Sequence, residues 1–251
     1  HSSLYQEDTI SYYFPQSNKL IEDKNKNIKF FESGSEYTNS FLYPRLIFIF
    51  NNLVNKNKKI FDEEEKIIIL KNDKLFIYLQ IIIFYISLII LYFSFSKILE
   101  KKLSKIICLI LFINPIIFQW HLSFYTESLY LSFLILLTSF LIKAKNLIDY
   151  FLIGTFVGIM YMQRTITFLY PLVIFIYIML LDENLVKKIF KFLCIIGGLT
   201  LILVIIGLHN YKRVGIFYYT PTQTKLDLQR YVEVDVIKKL KKISIDDARK
   251  E

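Results

Sequence analysis

The sequence predicts an all-α polytopic membrane protein, a bundle of about six transmembrane or half-transmembrane helices with amphipathic helices on the extracytoplasmic side. Three observations lead there. The 251 residues are 54% hydrophobic and 17% aromatic, with a mean hydropathy of +0.42, more apolar than a typical soluble domain. Residues 75–96, 106–142, 150–181 and 192–211 form four apolar stretches with scarcely a charge among them. Short lysine clusters fall between those stretches.

Residues 75–96 are uncharged and long enough for one crossing of a ~30 Å hydrocarbon core. Residues 106–142 hold a single acidic side chain, Glu127, within NPIIFQWHLSFYTESLY. As one straight helix they would span roughly 55 Å at ~1.5 Å per residue, so they read as two limbs. Residues 150–181, broken only by Arg164, read the same way, and residues 192–211 supply a last crossing. Lys and Arg in short loops are retained on the cytoplasmic side. With Lys97, Lys101, Lys102 and Lys105, then Lys143 and Lys145, then Lys187, Lys188 and Lys191 all inside, both long stretches become out-and-back hairpins. Their turns fall near His121 to Glu127 and near Gln163 and Arg164. The limbs are short, which favours tilted or partly submerged half-helices.

Parity makes residues 1–74 an extracytoplasmic loop with interfacial helices, 75–211 the transmembrane bundle, and 212–251 an extracytoplasmic, incomplete segment. The chain opens on polar sequence without a signal peptide and stops within IDDARKE, so it is expected to lack a first transmembrane helix and a C-terminal part. TISYYFPQSNKLIED predicts a helix around Ser11 to Ile21, interrupted at Pro15. Residues 40–54 predict an amphipathic helix lying in the interface. Residues 214–224 read as extended, and residues 231–243 as a membrane-surface helix.

The net charge of +9 does not point to nucleic acid, because the lysines flank apolar segments and no nucleic-acid motif accompanies them. Membrane lipids are the expected surroundings. Cys108 and Cys194 fall inside spans, and His1, His121 and His209 do not cluster. Neither a disulfide framework nor a zinc spacing is present.

The topology gathers the conspicuous polar residues on one face: Glu7 and Asp8, His121 and Glu127, Arg164, and Lys212 with Arg213. Asp8 reads as a helix N-cap or as a general base facing a membrane-embedded cavity, with Glu7 as the alternative carboxylate. Glu127 reads as a cap of the returning helix, shared with Thr126 or Ser128, or as part of a pocket mouth with Trp120, His121 and Tyr125. A carboxylate in an apolar run is expensive, which is why it marks function. Arg164 reads as a snorkelling side chain or as a guanidinium for a lipid-linked phosphate. His121 suits an aromatic interfacial belt as well as a substrate contact.

At these residues the sequence resembles the C-type (GT-C) glycosyltransferases, mannosyltransferase-like membrane enzymes that use polyprenyl-phosphate sugars. Glu7-Asp8-Thr-Ile-Ser-Tyr-Tyr is similar to their first-loop acidic residue and following aromatics, although many members carry Asp-Glu or a lone Asp there. NPIIFQWHLSFYTESLYLSFLILL resembles their Pro…(Tyr/Ser)-x-Glu-x-(Leu/Phe) segment. FLIGTFVGIMYMQRTITFLYPLVIF resembles their Gly-x-x-x-Gly…Arg-x…Pro helix pair. Together, in order, these cover roughly residues 1–215.

The resemblance implies a GT-C-like bundle in a bacterial inner (plasma) membrane, with the active site facing outside. It implies transfer of a sugar from a polyprenyl-phosphate-linked donor to a lipid, glycan or protein acceptor. Asp8 would then be the base on the acceptor hydroxyl, Glu127 would orient acceptor or donor sugar, and Arg164 would sit at the donor phosphate. Glu7, His121, Lys212 and Arg213 would be further substrate contacts. No cofactor follows from the residues, and a divalent metal is left open without being indicated. Two other classes compete. A transporter or flippase of a lipid-linked glycan intermediate would need broken helices near the midplane and an inverted repeat. An inactive membrane scaffold would leave the polar residues scattered.

Overall fold

Along the helices of the bundle, the faces turned outward are apolar and those turned inward carry serine, glutamine and glycine. On the first long helix, Leu79, Ile82, Ile86, Ile89 and Phe93 are exposed while Gln80, Ser87 and Ser94 are buried. Lipid offers no hydrophobic drive between helices, so small and polar residues line their contacts and let the backbones approach. The buried hydroxyls of Ser87 and Ser94 donate to the carbonyls of Ile83 and Ile90, each at 2.7 Å. No polar group is then left bare in hydrocarbon at these positions.

The structure is a computed structural model that describes residues 13–26, 28, 41–55, 61–62, 67–68, 73–215, 217 and 219. The helices are α1 (Phe14–Asn25), α2 (Leu42–Asn55), α3 (Asp73–Phe95), α4 (Lys101–Ile113), α5 (Pro115–His121), α6 (Thr126–Lys143), α7 (Leu147–Gln163), α8 (Tyr170–Met179) and α9 (Leu185–Val214). A 3-10 helix, Thr165–Leu169, precedes α8, and a two-residue antiparallel ladder pairs β1 (Phe61–Asp62) with β2 (Ile67–Ile68). The fold is an all-α polytopic membrane bundle. Helices α3, α6 and α9 are each long and apolar enough to cross a membrane, and α4 with α5, bent by 58° at Asn114, makes a fourth span if taken as one. Pro115 begins α5 and the Asn114 side chain caps it, accepting from the amides of Ile116 and Ile117. The bend therefore has a local cause.

The side-chain pairings fix the directions. Phe76 near the start of α3 stacks on Phe124 just before α6, and Leu88 and Leu91 pack with Ile135 further along, so α3 and α6 run parallel. The start of α6 meets the end of α7, where the Gln163 amide donates to the Thr126 carbonyl at 3.1 Å. At the opposite end, Lys188 in the first turns of α9 donates to the Met179 carbonyl that closes α8, at 2.8 Å. The six limbs thus alternate, and the three lysine clusters share one end of the bundle.

Helices α7 and α9 lie side by side with almost no space between their backbones. A Cβ on Gly154 would stand 2.0 Å from the Ile195 carbonyl oxygen, one on Gly198 2.1 Å from the Phe151 carbonyl oxygen, and one on Gly158 2.6 Å from the Ile202 side chain. Gly154 and Gly158 are the Gly-x-x-x-Gly pair of α7. They do here what such pairs do in membranes, removing side chains so that dispersion contacts act at short range.

Several expectations shift. Pro15 opens α1 and does not interrupt it, because the first turn of a helix has no use for the missing amide hydrogen. Helix α9 begins seven residues before the apolar stretch and carries Lys187, Lys188 and Lys191 in its first turns. The Asn184 side chain caps it by accepting from the Val186 amide, and lysine is a good helix former. The amphipathic helix expected over 40–54 is α2, with Tyr43, Ile47 and Phe50 buried and Ile49 and Leu53 exposed. Residues 231–243, and most of 214–224, lie outside the described residues.

At the lysine-rich end, Lys191 pairs with Glu183 in the loop before α9 and lies 4.9 Å from the centre of the Tyr150 ring. The hydrogen bond from the Lys191 ammonium holds the Glu183 carboxyl below its ordinary value of 4.5. A carboxylate with a depressed folded-state pKa adds stability above the unfolded value and loses it as pH falls through the folded one. The unfolding temperature of the purified protein should therefore exceed that of Glu183→Gln at pH 6, and the gap should close as the pH is taken below about 4. A gap that persists at pH 3 would exclude the ionised pair as its source.

Gly154→Ala and Gly198→Ala should each destabilise the protein by about 1–3 kcal/mol, because backbone must move to admit one methyl. Gly197→Ala should be nearly silent, since its Cβ would meet only the Phe151 ring at an ordinary 3.8 Å. Thermal unfolding in detergent distinguishes the three.

Candidate functional site

The end of the bundle away from the lysines collects the starts of α3, α6 and the 3-10 helix and the ends of α5, α7 and α9. Helices α1 and α2 pack over it. Their contact is aromatic: Tyr13 meets Tyr43 edge-on with centroids 5.1 Å apart, Phe14 meets Phe124 at 5.6 Å, and Phe50 meets Phe76 at 5.2 Å. A short polar relay runs through this layer. The Tyr43 hydroxyl donates to Gln80 Oε1 at 3.0 Å, and Gln80 Nε2 donates to the Ser123 carbonyl at 3.0 Å. The turn 122–125 between α5 and α6 is thereby tied to α2 and α3.

Glu127 and Arg164 come together at this end. They form an ion pair between Glu127 Oε1 and Arg164 Nη2, with side-chain exposures of 16% and 39%. Thr126 closes the group: its hydroxyl donates to Glu127 Oε2 at 2.9 Å and accepts from Arg164 Nη2 at 3.3 Å. The Tyr13 hydroxyl stands 3.5 Å from the same Thr126 oxygen. Glu127 lies in the first turn of α6, where the helix dipole favours a negative charge. It caps nothing, however, since the cap position belongs to Tyr125, which makes no side-chain cap hydrogen bond. Arg164 has extended backbone, φ −145° and ψ 126°, between α7 and the 3-10 helix. That single non-helical residue is the hinge of the second hairpin. The guanidinium is more open than its carboxylate partner, so an oxyanion has access to its remaining N–H groups.

Three further groups join the site that sequence reasoning passed over. Gln163 is buried, with its Nε2 on the Thr126 carbonyl and its Oε1 without a partner among the described residues. An unsatisfied buried carbonyl beside an open arginine suits a substrate hydroxyl. Arg45 of α2 and His209 of α9 meet at 3.2 Å, Nη2 to Nε2. Because arginine only donates, His209 accepts through Nε2. Arg45 also lies 3.6 Å from the centre of the Phe41 ring, and the Phe41 amide donates to the Met162 carbonyl at 2.9 Å. The signal available for both was a basic residue inside an otherwise apolar run, in FLYPRLIFIF and IIGLHNY.

The remaining candidates are placed as follows. His121 is buried, its Nδ1 2.7 Å from the Ile117 carbonyl, its Nε2 3.3 Å from Ser132 Oγ and its ring 4.2 Å from that of Phe84. Both ring nitrogens are engaged inside the bundle. Lys212 is exposed in the last turn of α9. Arg213 lies in the same turn, and its side chain is outside the described residues, as are Glu7 and Asp8 altogether. Among the described residues no group of three His, Cys, Asp or Glu side chains is placed to hold a metal ion.

The family model described as dolichyl-phosphate-mannose-protein mannosyltransferase matches residues 67–207, more than half of the chain. The matched region takes in Glu127, Gln163 and Arg164 and stops short of Asp8, α1 and α2. No curated protein and no solved structure matches the chain.

If the ion pair holds the two hairpin turns together, Glu127→Gln and Arg164→Gln should not be additive. A double-mutant cycle on thermal unfolding should give a coupling of about 0.5–1 kcal/mol, limited by the exposure of the guanidinium. Full additivity would mean that the two side chains act independently.

Proposed function

As the chain belongs to the dolichyl-phosphate-mannose-protein mannosyltransferase family, and so to the membrane glycosyltransferases, we propose that it transfers a sugar from a polyprenyl-phosphate-linked donor to a lipid, glycan or protein acceptor. The chemistry takes place at the end of the bundle that holds Glu127 and Arg164. The observation that carries this reading is the Thr126–Glu127–Arg164 group, where one open guanidinium faces substrate beside a carboxylate that fixes its orientation. Because the lysine clusters lie at the other end, this end faces the extracytoplasmic side.

In the proposed reaction a carboxylate accepts the proton of the acceptor hydroxyl. The oxygen attacks the anomeric carbon, the bond from that carbon to the phosphate oxygen breaks, and polyprenyl phosphate leaves with the electron pair. Asp8 is the proposed base. It stands five residues upstream of Tyr13, a distance that chain spans in at most ~18 Å, and the Tyr13 hydroxyl adjoins Thr126. Arg164 stabilises the charge that grows on the leaving phosphate. Glu127 orients the guanidinium and, through its remaining lone pairs, a sugar hydroxyl. Glu7, Lys212 and Arg213 are proposed to contact substrate around this centre.

The test is sugar transfer from a labelled polyprenyl-phosphate hexose in membranes that contain each variant at equal expression. Asp8→Asn should lower the rate by about 10²–10⁴, and Arg164→Gln by about 10²–10³. Glu7→Gln should lower the rate far less than Asp8→Asn, because Glu7 contacts substrate without taking the proton. Unchanged transfer by Asp8→Asn, or loss in Glu7→Gln alone, removes Asp8 as the base.

A further inference from the structure

The lysine-rich end of the bundle carries a second feature that sugar transfer does not use. Between the last turns of α6 and the first three turns of α7 lies a slot of about 390 Å³, within the ordinary range for small-molecule sites. Its walls are apolar: Phe140 from α6, and Leu152, Ile153, Phe156 and Ile159 from one face of α7. Phe140 and Phe156 meet edge-on with centroids 5.5 Å apart. Thr155 also lines the slot, but its hydroxyl donates to the Phe151 carbonyl at 3.1 Å and offers the slot little polarity.

The mouth is different. Lys143 and Asp149 both line it. The Lys143 ammonium has no hydrogen-bond or ion-pair partner among the described residues. Asp149 accepts through one oxygen only: Oδ2 takes the amides of Lys145 and Asn146, at 2.7 and 2.9 Å, which is half of the capping box that starts α7. Its Oδ1 takes no hydrogen bond among the described residues. The slot therefore adds one cation and one open carboxylate oxygen to an otherwise apolar lining. From Asp149 to Ile159 the channel runs about 15 Å along α7, the depth of one leaflet of a ~30 Å hydrocarbon core.

We propose that this slot binds a zwitterionic aminophospholipid of the phosphatidylethanolamine kind. One acyl chain lies along the α7 face, the phosphate rests on Lys143 and the primary ammonium donates to Asp149 Oδ1. Charges of both signs at the mouth select this headgroup. A phosphatidylglycerol would satisfy Lys143 but offer Asp149 only a neutral hydroxyl, without the cation that the carboxylate favours. A phosphatidylcholine has no N–H to donate. The site lies at the opposite end from Glu127 and Arg164, so its occupant is not the sugar donor.

Native mass spectrometry of the delipidated, detergent-solubilised protein tests the assignment, with palmitoyl-oleoyl phosphatidylethanolamine, phosphatidylglycerol and phosphatidylcholine added in turn. Phosphatidylethanolamine should be retained about tenfold better than either of the others. Lys143→Gln should bring it down to their level, while Lys145→Gln, on a lysine that does not line the slot, should not. Equal retention of all three lipids by the unaltered protein overturns the proposal and leaves only annular lipid. Preference for phosphatidylglycerol, or displacement of phosphatidylethanolamine by polyprenyl phosphate, overturns it in favour of a different occupant. These comparisons on the unaltered protein decide the matter even if Lys143→Gln fails to fold.

Discussion

A charge placed where two apolar helices turn has to be neutralised within the protein, and the pairing of Glu127 with Arg164 does this for both hairpins at once. Each side chain alone would be a costly intruder, a carboxylate in one hydrophobic run and a guanidinium in the next. Paired, they tie the start of α6 to the end of α7, and the rest of the site is assembled around that junction. Thr126 takes its hydrogen bonds from it, Gln163 reaches the Thr126 backbone across it, and Tyr13 brings the N-terminal helix against it. Removing one partner leaves the other without its counter-charge at the junction of the two hairpins.

The position of Arg164 depends on a second constraint, the close approach of α7 and α9. With glycine at 154, 158 and 198, the two helices touch backbone to backbone, and the end of α7 is fixed relative to His209 and Arg45 by the same contact. The aromatic layer of α1 and α2 packs there through ring edges and through hydrogen bonds such as that from Tyr43 to Gln80. A closely packed pair of helices therefore carries the arginine, and the aromatic layer lies over it.

Much of this was legible in the sequence. Apolar run lengths and lysine clusters gave the six limbs, their alternation and the turns at 122–125 and Arg164, because crossing a bilayer imposes length and charge rules that act locally. The pairing of Glu127 with Arg164 was legible only as a shared end of the bundle. Arg45, His209 and Gln163 were not legible as site residues, since their partners lie far away in the chain: Arg45 meets His209 across 164 positions. His121 looked like a polar residue at a turn, yet its ring turns inward to Ile117 and Ser132. A one-residue difference in where a helix ends decides which way such a ring points, and periodicity does not resolve that. The helix start at Leu185 was hidden because lysines marked the loop in the charge pattern while Asn184 supplied the cap.

The parallel pairing of α7 with α9 has a consequence for how the chain is made. The glycine face of α7 is synthesised well before its partner: Gly158 precedes Ile202, which fills the space beside it, by the whole of α8 and half of α9. At 5–20 residues per second that interval is about 2–9 s. Throughout it, a smooth glycine ridge of the kind that dimerises membrane helices faces the lipid uncovered. The order of synthesis thus leaves the glycine face of α7 without its partner until α9 is in place.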